Sequence, residues 1–466
     1  MNHRYTDPRG QISLHLPEKL LVDNFAGGGG ASTGVEMAFG RPVDIAINHD
    51  RDAIAMHAIN HPTTTHYIES VWDVDPVEAT QGRAVEWGHF SPDCTHHSKA
   101  RGGKPRKQEI RGLAWIVIKW ALLTDLENFS LENVEEFQEW GPLDEEGQPI
   151  KERAGETYRA FKAMLTTGIA ANHPAVAELR EFLPAGTDIT NALQGMGYSL
   201  DGRELIASDY STEPGSGVGI ATTRKRYIMV GRKDGQPIQW PEKEYGPGLK
   251  PVARAADCID WTIPAPSIFT RDTPLVPNTM KRICRGFQKF VIEETPYIPP
   301  AAIIGSPAPE AVPVAFLVKN FGGNYTGAGI NLNEPLHTIT TKDHHAIVVA
   351  WLLKYYGTNT GTSLHDAMQT ITTRDRFGLV LAKLDAHDYR LLDIGFRILA
   401  PHELYKAQGF PAWYIHDRTA DGKALSKSAQ VRMVGNSVPP GMIAAVICAN
   451  RPASAATTSK TAEAAA

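Results

Sequence analysis

Two hydrophobic periods alternate along the first half of the chain, and this alternation restricts the fold more than any other feature. "KLLVDNFAGG" (19–28) reads as a buried strand running into glycines, "ASTGVEMAFG" (31–40) as a short helix, and "VDIAINHD" (43–50) as a second strand. "RDAIAMHAINHP" is a helix stopped by Pro62; "THYIESVWD" and "AVEWGHFSP" are strands, "EIRGLAWIVIKWALLT" is a strongly apolar helix and "NFSLENV" a further strand. Such alternation predicts the α/β class: a doubly wound, mostly parallel sheet with ligands at the carboxyl ends of its strands. A glycine run and a lone cysteine, Cys94, fall at two of those ends.

The rest of the chain departs from this rhythm. Residues 141–183 are polar and helical and read as an insertion, after which "YSLDGRELIASDYS" and "RYIMVGRK" return to strand character. We therefore place a cofactor-binding catalytic domain at 18–236 and a smaller β-rich domain at 237–425. Residues 426–450 would return to the first domain, and 451–466, "PASAATTSKTAEAAA" with its preceding Arg451, form a low-complexity tail expected to be disordered. The second domain carries a repeat: "FLVKNFGGN" with "LHTITTKDHHAIVVA" is echoed by "WLLKYYGTN" with "MQTITTRDRFGLVLA". Two copies are too few for a solenoid, so they read as paired β-hairpin units.

Composition enters where it narrows the function. With 466 residues, 42% hydrophobic and 21% charged, the chain has enough core for two or three domains. We find no apolar run of the length a membrane span needs and no signal-peptide core in "MNHRYTDPRG", and expect a cytoplasmic protein without a membrane partner. The four cysteines form no CxxC pair, which argues against a disulfide framework or a zinc knuckle. A formal charge of −5 hides local patches. Residues 98–112 hold Lys99, Arg101, Lys104, Arg106, Lys107 and Arg111 against Glu109 alone, and Arg224, Lys225, Arg226, Arg232 and Lys233 form a second cluster. Taken singly, each patch reads as a solvated face before it reads as a polyanion site.

"NFAGGGGASTG" can bring backbone amides close to a ligand. No Gly-Lys-Ser/Thr follows, and the dinucleotide spacing fails at its third glycine. A nucleoside cofactor without a pyrophosphate, commonly S-adenosylmethionine, or a purely structural tight turn remain. Cys94 is bordered by Pro92, Asp93, His96 and His97 and by the cationic loop, a polar electropositive setting suited to a reactive thiolate rather than to a buried apolar thiol. A metal held by Cys94, His96 and His97 would lack further ligands at suitable spacing, so no metal is expected. "LENVEEF" puts Glu132 at the expected end of a strand.

In order and spacing, "FAGGGGASTG", "PDC", "ENV", "TTRKRYIMVG", "RILAPHELYKAQGFP" and "VGNSVPP" resemble the motif series of DNA cytosine-5 methyltransferases, particularly bacteriophage-type members, over residues 20–447. The resemblance implies an S-adenosylmethionine-dependent, Rossmann-like methyltransferase fold with a target-recognition domain. It implies methyl transfer to C5 of a cytosine flipped out of duplex DNA at a short site, through a covalent adduct between Cys94 and C6. Glu132 would contact N3 and the exocyclic amine, Arg226 the base O2, and Arg224 would support Arg226. The cofactor would be met by Phe25, Ala26, Gly27 and Gly29, by Asp73 beside the adenine, and by Asn436 and Ser437. Ser98, Lys99, Arg101, Lys104 and Arg106 would lie on a mobile loop closing over the DNA. A role in DNA methylation, as in restriction-modification, and a working monomer are implied as well.

The chain departs from that pattern at four places. Asp93 and Thr95 flank the cysteine where proline and glutamine are usual, and a carboxylate beside a thiol raises its pKa unless cations offset it. Asn48 stands where a ribose-binding glutamate is expected, with Asp50 as a substitute; Thr222 replaces the glutamine of the arginine motif. Two other readings fit the same residues: a catalytically silent DNA-binding relative, and an RNA cytosine-5 methyltransferase. The retained Cys94, Glu132 and Arg226 favour the active enzyme, and the large repeat-bearing domain favours duplex DNA.

Overall fold

The computed structural model describes residues 19–92, 112–144, 148–300, 311–319, 327–342, 345–354, 381–384 and 387–451, with the backbone alone at 353–354, 381–384 and 387–390 and at a short ladder pairing Tyr5–Thr6 with Ile12–Ser13. Seven strands form the main sheet: β1 (Leu20–Asn24), β2 (Ile45–Ile47), β3 (Thr65–Tyr67), β4 (Val85–Phe90), β5 (Asn128–Asn133), β6 (Ser199–Ile206) and β7 (Lys225–Arg232). Their order is β3-β2-β1-β4-β5-β7-β6. The first five are parallel, and β7 alone runs against its neighbours. The sheet is therefore mostly parallel, as expected. The reversal has a local cause: residues 207–224 contain only a 3-10 turn, Ala207–Asp209, so the chain returns as an antiparallel partner instead of making the helical crossover a parallel strand needs.

Helices cover both faces. Along β1, Leu20 and Val22 face one layer while Leu21 faces the other, which is why the strand is apolar throughout. On the first side lies α4 (Trp115–Leu123), with α5 (Glu156–Leu165), α6 (Pro174–Phe182) and α7 (Thr190–Gln194) packed beyond it around Trp115, Trp140 and Phe161. On the other side α1 (Gly30–Phe39) packs against α11 (Pro440–Asn450), whose Ile443, Val446 and Ile447 are fully buried. Between them in sequence stand α2 (Arg51–Asn60), capped by Asp50, and α3 (Pro76–Thr80).

The second sheet has four antiparallel strands, β8 (Val312–Lys319), β9 (His345–Lys354), β10 (Leu381–Leu384) and β11 (His387–Ile398), in the order β8-β9-β11-β10. It is two hairpins joined through β9 and β11. Strand β9 is buried on both sides: Ala346, Val348, Ala350 and Leu352 meet α8 (Pro277–Phe287), while Ile347, Val349 and Trp351 meet the junction with the main domain. Helices α9 (Pro401–Ala407) and α10 (Lys427–Asn436) lie in that junction.

Contrary to the sequence reading, one stretch, residues 427–450, is long and apolar enough to cross a membrane; 67% of its most apolar window is buried inside the fold, and it is α10 and α11 broken at Ser437–Pro439.

Candidate active site

Strand order reverses direction between β1 and β4: the chain builds outward from β1 through β2 to β3, then returns to add β4 and β5 on the other side. Ligand crevices open at the carboxyl ends of such a pair. From β1 issues the glycine turn, and from β4 issue Ser91 and Pro92.

The turn is tightly built. Phe25 takes a left-handed conformation at φ 66°, rare for an aromatic residue, and Gly27 and Gly29 follow at φ 53° and 98°. Gly29 caps α1, and a β-carbon there would sit 2.8 Å from the Tyr414 hydroxyl; at Gly30 it would sit 1.8 Å from Ser437 Oγ. Tyr414 also donates its hydroxyl to the Gly28 carbonyl, and Met56 and Met433 press on Gly28. These glycines thus serve packing against α2 and the C-terminal segment. Gly27 differs: a β-carbon there would meet only the Phe25 carbonyl, at 3.8 Å, so the backbone is open on that side, beside the half-buried Phe25 and the buried Ala26. An open, glycine-lined backbone at a strand end is a fit for a nucleoside cofactor without a pyrophosphate.

The other expected cofactor residues lie at different distances from that opening. Asn436 ends α10, exposed, and Ser437 caps it with its carbonyl held by Gln408 Nε2 at 2.7 Å; the Gly30 contact puts this segment directly on the first turn of α1. Asn48 is half-buried just beyond β2, its Oδ1 accepting from the Asp50 amide at 2.8 Å. Asp50 is fully engaged: Oδ1 accepts from the amides of Asp52 and Ala53, and Oδ2 pairs with Arg432. Asp73 is exposed in a turn after β3, with the Trp72 ring beside it stacked on Phe182.

Beneath the turn runs a buried polar chain. Ser32 donates to Asp23 at 2.7 Å, His57 Nε2 lies 2.8 Å from Ser32 Oγ, and His66 Nε2 lies 2.8 Å from His57 Nδ1. Burial raises the Asp23 carboxyl to about 7, against the smaller opposing effect of the Ser32 hydrogen bond. Burial drives His57 well below the usual histidine range.

The second half of the crevice is where the charged motif residues meet. Glu132 near the end of β5 and Arg226 near the start of β7 are brought together by antiparallel pairing in which Glu132 lies opposite Ile228. Arg226 Nε is 2.8 Å from Glu132 Oε1, with Glu132 almost wholly buried and Arg226 largely so. Despite this contact, Glu132 Oε1 is a buried oxygen with no hydrogen-bond partner among the described residues, while Arg226 Nη1 donates to the Lys225 carbonyl at 2.7 Å. A planar heterocycle offered to this pair would meet a carboxylate acceptor and a guanidinium donor. The next residue, Asn133, donates from Nδ2 to the Pro92 carbonyl at 3.2 Å, tying β5 to the chain two residues before Cys94. Arg224 is buried and donates from Nη1 to the carbonyls of Ile339 and Gly435, fastening β7 to the second domain and to α10. Thr222 pairs with Leu336 at the same seam.

Cys94, Asp93, Thr95, His96 and His97, and the loop residues Ser98, Lys99, Arg101, Lys104 and Arg106, lie outside the described residues. In the second basic cluster Lys225 and Lys233 are exposed and Arg224, Arg226 and Arg232 are not, so the five do not form one solvated face. Lys225 pairs with Glu135 and Glu204, Arg232 with Asp234, Arg226 with Glu132, and Lys233 sits over the Tyr198 ring. A strand alternates its side chains between two faces, so five cations close in sequence separate: three enter ion pairs, Arg224 meets backbone carbonyls and Lys233 meets a ring. Among the described residues no group of three or more His, Cys, Asp or Glu side chains is arranged to hold a metal ion.

Three participants escaped sequence reasoning. Tyr414 and Met433 brace the glycine turn from almost four hundred residues away, and His89 holds Ser91. Only chain course brings the first two to Gly28; a histidine in an apolar strand, "VEWGHF", was the one visible sign of the third.

No protein-family model and no curated protein matches the chain. Among solved structures it is similar to a prophage-encoded DNA modification methyltransferase from E. coli, at 15% identity and a TM-score of 0.45 over 92% of this chain and 97% of that one. It is also similar to Spodoptera frugiperda DNMT2, carrying three substitutions, at 12% identity and a TM-score of 0.46 over 92% and 99%. S. pombe Dnmt2 stands at 12% and 0.44 over 92% and 97%. Each shares little of this chain's sequence.

Proposed function

We propose that this chain transfers a methyl group from S-adenosylmethionine to C5 of a cytosine flipped out of duplex DNA at a short specific site. The observation that carries the reading is the Glu132–Arg226 pair, buried at the carboxyl edge of the sheet beside the strand that leads to Cys94.

Cytosine C5 is too weak a nucleophile to take a methyl group unaided. The Cys94 thiolate adds to C6 and so makes C5 enamine-like. Glu132 receives N3 and the exocyclic amine, and Arg226 donates to O2, so the charge that builds on the ring during addition is met by groups already in place. Bound at the open side of Phe25–Gly27, with Ala26, Gly29, Asn436 and Ser437 around it, S-adenosylmethionine would supply an electrophilic methyl group. A base then takes the C5 proton, and elimination across C5–C6 returns the Cys94 thiolate. A cytosine stacked in a duplex cannot reach a crevice of this kind, so flipping is part of the proposal. Lys99, Arg101, Lys104 and Arg106, with Ser98, would meet phosphates, and the second domain would read base edges.

The test is bisulfite sequencing of DNA from a methylation-free bacterial host expressing the chain or its Cys94→Ser variant. Methylated cytosines at one recurrent short site, absent with the variant, are the expected result. A folded wild-type protein that leaves the host DNA unmethylated would overturn the proposal and favour a DNA-binding relative or an RNA substrate.

A further inference from the structure

Inside the central strand β4, His89 is fully buried, and nothing in the chemistry above uses it. Both of its ring nitrogens are engaged. Nδ1 is 2.8 Å from Ser130 Oγ and Nε2 is 2.7 Å from Ser91 Oγ, while Trp87 Nε1 donates to the same Ser130 oxygen at 3.0 Å.

The need to satisfy the buried hydroxyl of Ser130 selects one direction for the protons. An indole nitrogen only donates, so the hydrogen of Ser130, almost fully buried, has His89 Nδ1 as its acceptor. The ring then carries its proton on Nε2 and donates it to Ser91. Burial keeps the imidazole neutral down to about 3. The Ser91 oxygen is thereby used as an acceptor. Ser91 is half-buried and stands three residues before Cys94. One residue on, the Pro92 carbonyl is gripped independently by Asn133 Nδ2 at 3.2 Å, and the Ser91 amide reaches the Asn24 carbonyl at 3.4 Å.

We infer that His89 and Ser91 are positioning residues: a one-way hydrogen-bond chain from Trp87 through Ser130 and His89 clamps Ser91, and with the Asn133 grip on Pro92 it sets where the chain leaves the sheet toward Cys94. The inference rests on the proposed role of Cys94. A loop leaving a strand end has freedom that the sheet does not restrain, and a nucleophile displaced by about 1 Å loses on the order of a hundredfold in rate. Two side-chain anchors on consecutive residues remove that freedom at its root. In this chain, which lacks the usual proline directly before the cysteine, the stem carries more of the restraint.

Steady-state methylation of duplex DNA containing the target site, read as kcat and KM separately, tests this with Ser91→Ala, Ser91→Thr and His89→Phe. Ser91→Ala deletes only the clamped oxygen at a half-buried position, so it keeps the test valid where His89→Phe fails to fold. We expect Ser91→Ala to lower kcat at least tenfold with KM for DNA within twofold, and Ser91→Thr to restore kcat to within threefold of wild type. Alkylation of Cys94 by iodoacetamide, followed by peptide mass mapping, should also change its rate in Ser91→Ala. A wild-type kcat in Ser91→Ala, a loss confined to KM, or a loss that threonine leaves in place would each overturn the inference. Absence of methylation by the wild-type protein is the separate result that removes the proposed function itself.

Discussion

A carboxylate and a guanidinium with so little solvent around them are costly to bury unless the pair serves something, because desolvation offsets much of their attraction. Glu132 Oε1 is buried without a hydrogen bond among the described residues, which suits a ligand edge better than a structural tie. Glu132→Gln preserves shape and removes charge; we expect kcat to fall by roughly 10²–10⁴-fold with DNA affinity little changed, measured by single-turnover methylation and a binding titration. Equal losses in kcat and in DNA binding would instead mark Glu132 as part of the docking surface. Asn48 presents the opposite case, a position where the resemblance expects an acid. Its Oδ1 already accepts from the Asp50 amide and Asp50 is spent on α2 and Arg432, so a ribose hydroxyl at Asn48 would meet a neutral amide in place of a carboxylate. Replacing a neutral hydrogen bond by a charged one gains about 1 kcal/mol, or roughly fivefold in Kd. Asn48→Glu should therefore tighten S-adenosylmethionine binding about fivefold by calorimetry, and unchanged affinity would place the ribose elsewhere.

At the scale of elements, strands and helices of the main sheet were legible because their apolar runs end in strong stops: Gly40 after α1, Pro62 after α2, and Asp50 at the start of α2. The reversal of β7 was not legible, since strand direction depends on whether the connecting segment forms a helix, and residues 207–224 carry no periodic signal in either sense. Nor was the separation of the second basic cluster into ion pairs, because partners such as Glu135, Glu204 and Asp234 are set by neighbouring strands and turns. The stretch "RILAPHE" builds a buried ion pair between the end of β11 and the start of α9. Glu403, fully buried in the first turn of α9, accepts from Arg397 twice at 2.8 Å and from the amides of Ala400 and Asp260 at 2.6 and 2.7 Å. Arg397 reaches on to the carbonyls of Asp260 and Ile263. Arg397→Met would strand a buried carboxylate and should cost about 3–5 kcal/mol in urea unfolding, whereas Arg397→Met with Glu403→Met should cost less than the single change. A double variant less stable than the single one would mean that the pair is not the source of the cost.

For the whole molecule, the buried titratable groups set how stability follows pH, and they oppose one another. Asp23 ionises near the ordinary carboxylate value when unfolded but only at about 7 when folded, because burial disfavours its charge. The folded state thus binds the extra proton between pH 4 and 7, and stability falls as pH rises through that window by about 4 kcal/mol from this group. His57 and His89 act in the other direction: both are held neutral by burial while the unfolded chain takes up a proton near 6.5, so each withdraws stability as pH falls below that value. The measured curve sums these slopes, and the Asp23 share is isolated by comparison with Asp23→Asn, whose side-chain oxygen can still accept from Ser32. Urea midpoints at pH 4, 5.5 and 7.5 should show the variant gaining on wild type as pH rises, by about 4 kcal/mol across the range. Parallel curves would mean that Asp23 is already ionised when folded, with its charge carried by the chain through Ser32 to His57 and His66. In that case His66, the half-exposed end of the chain, would hold the proton that the carboxylate lacks.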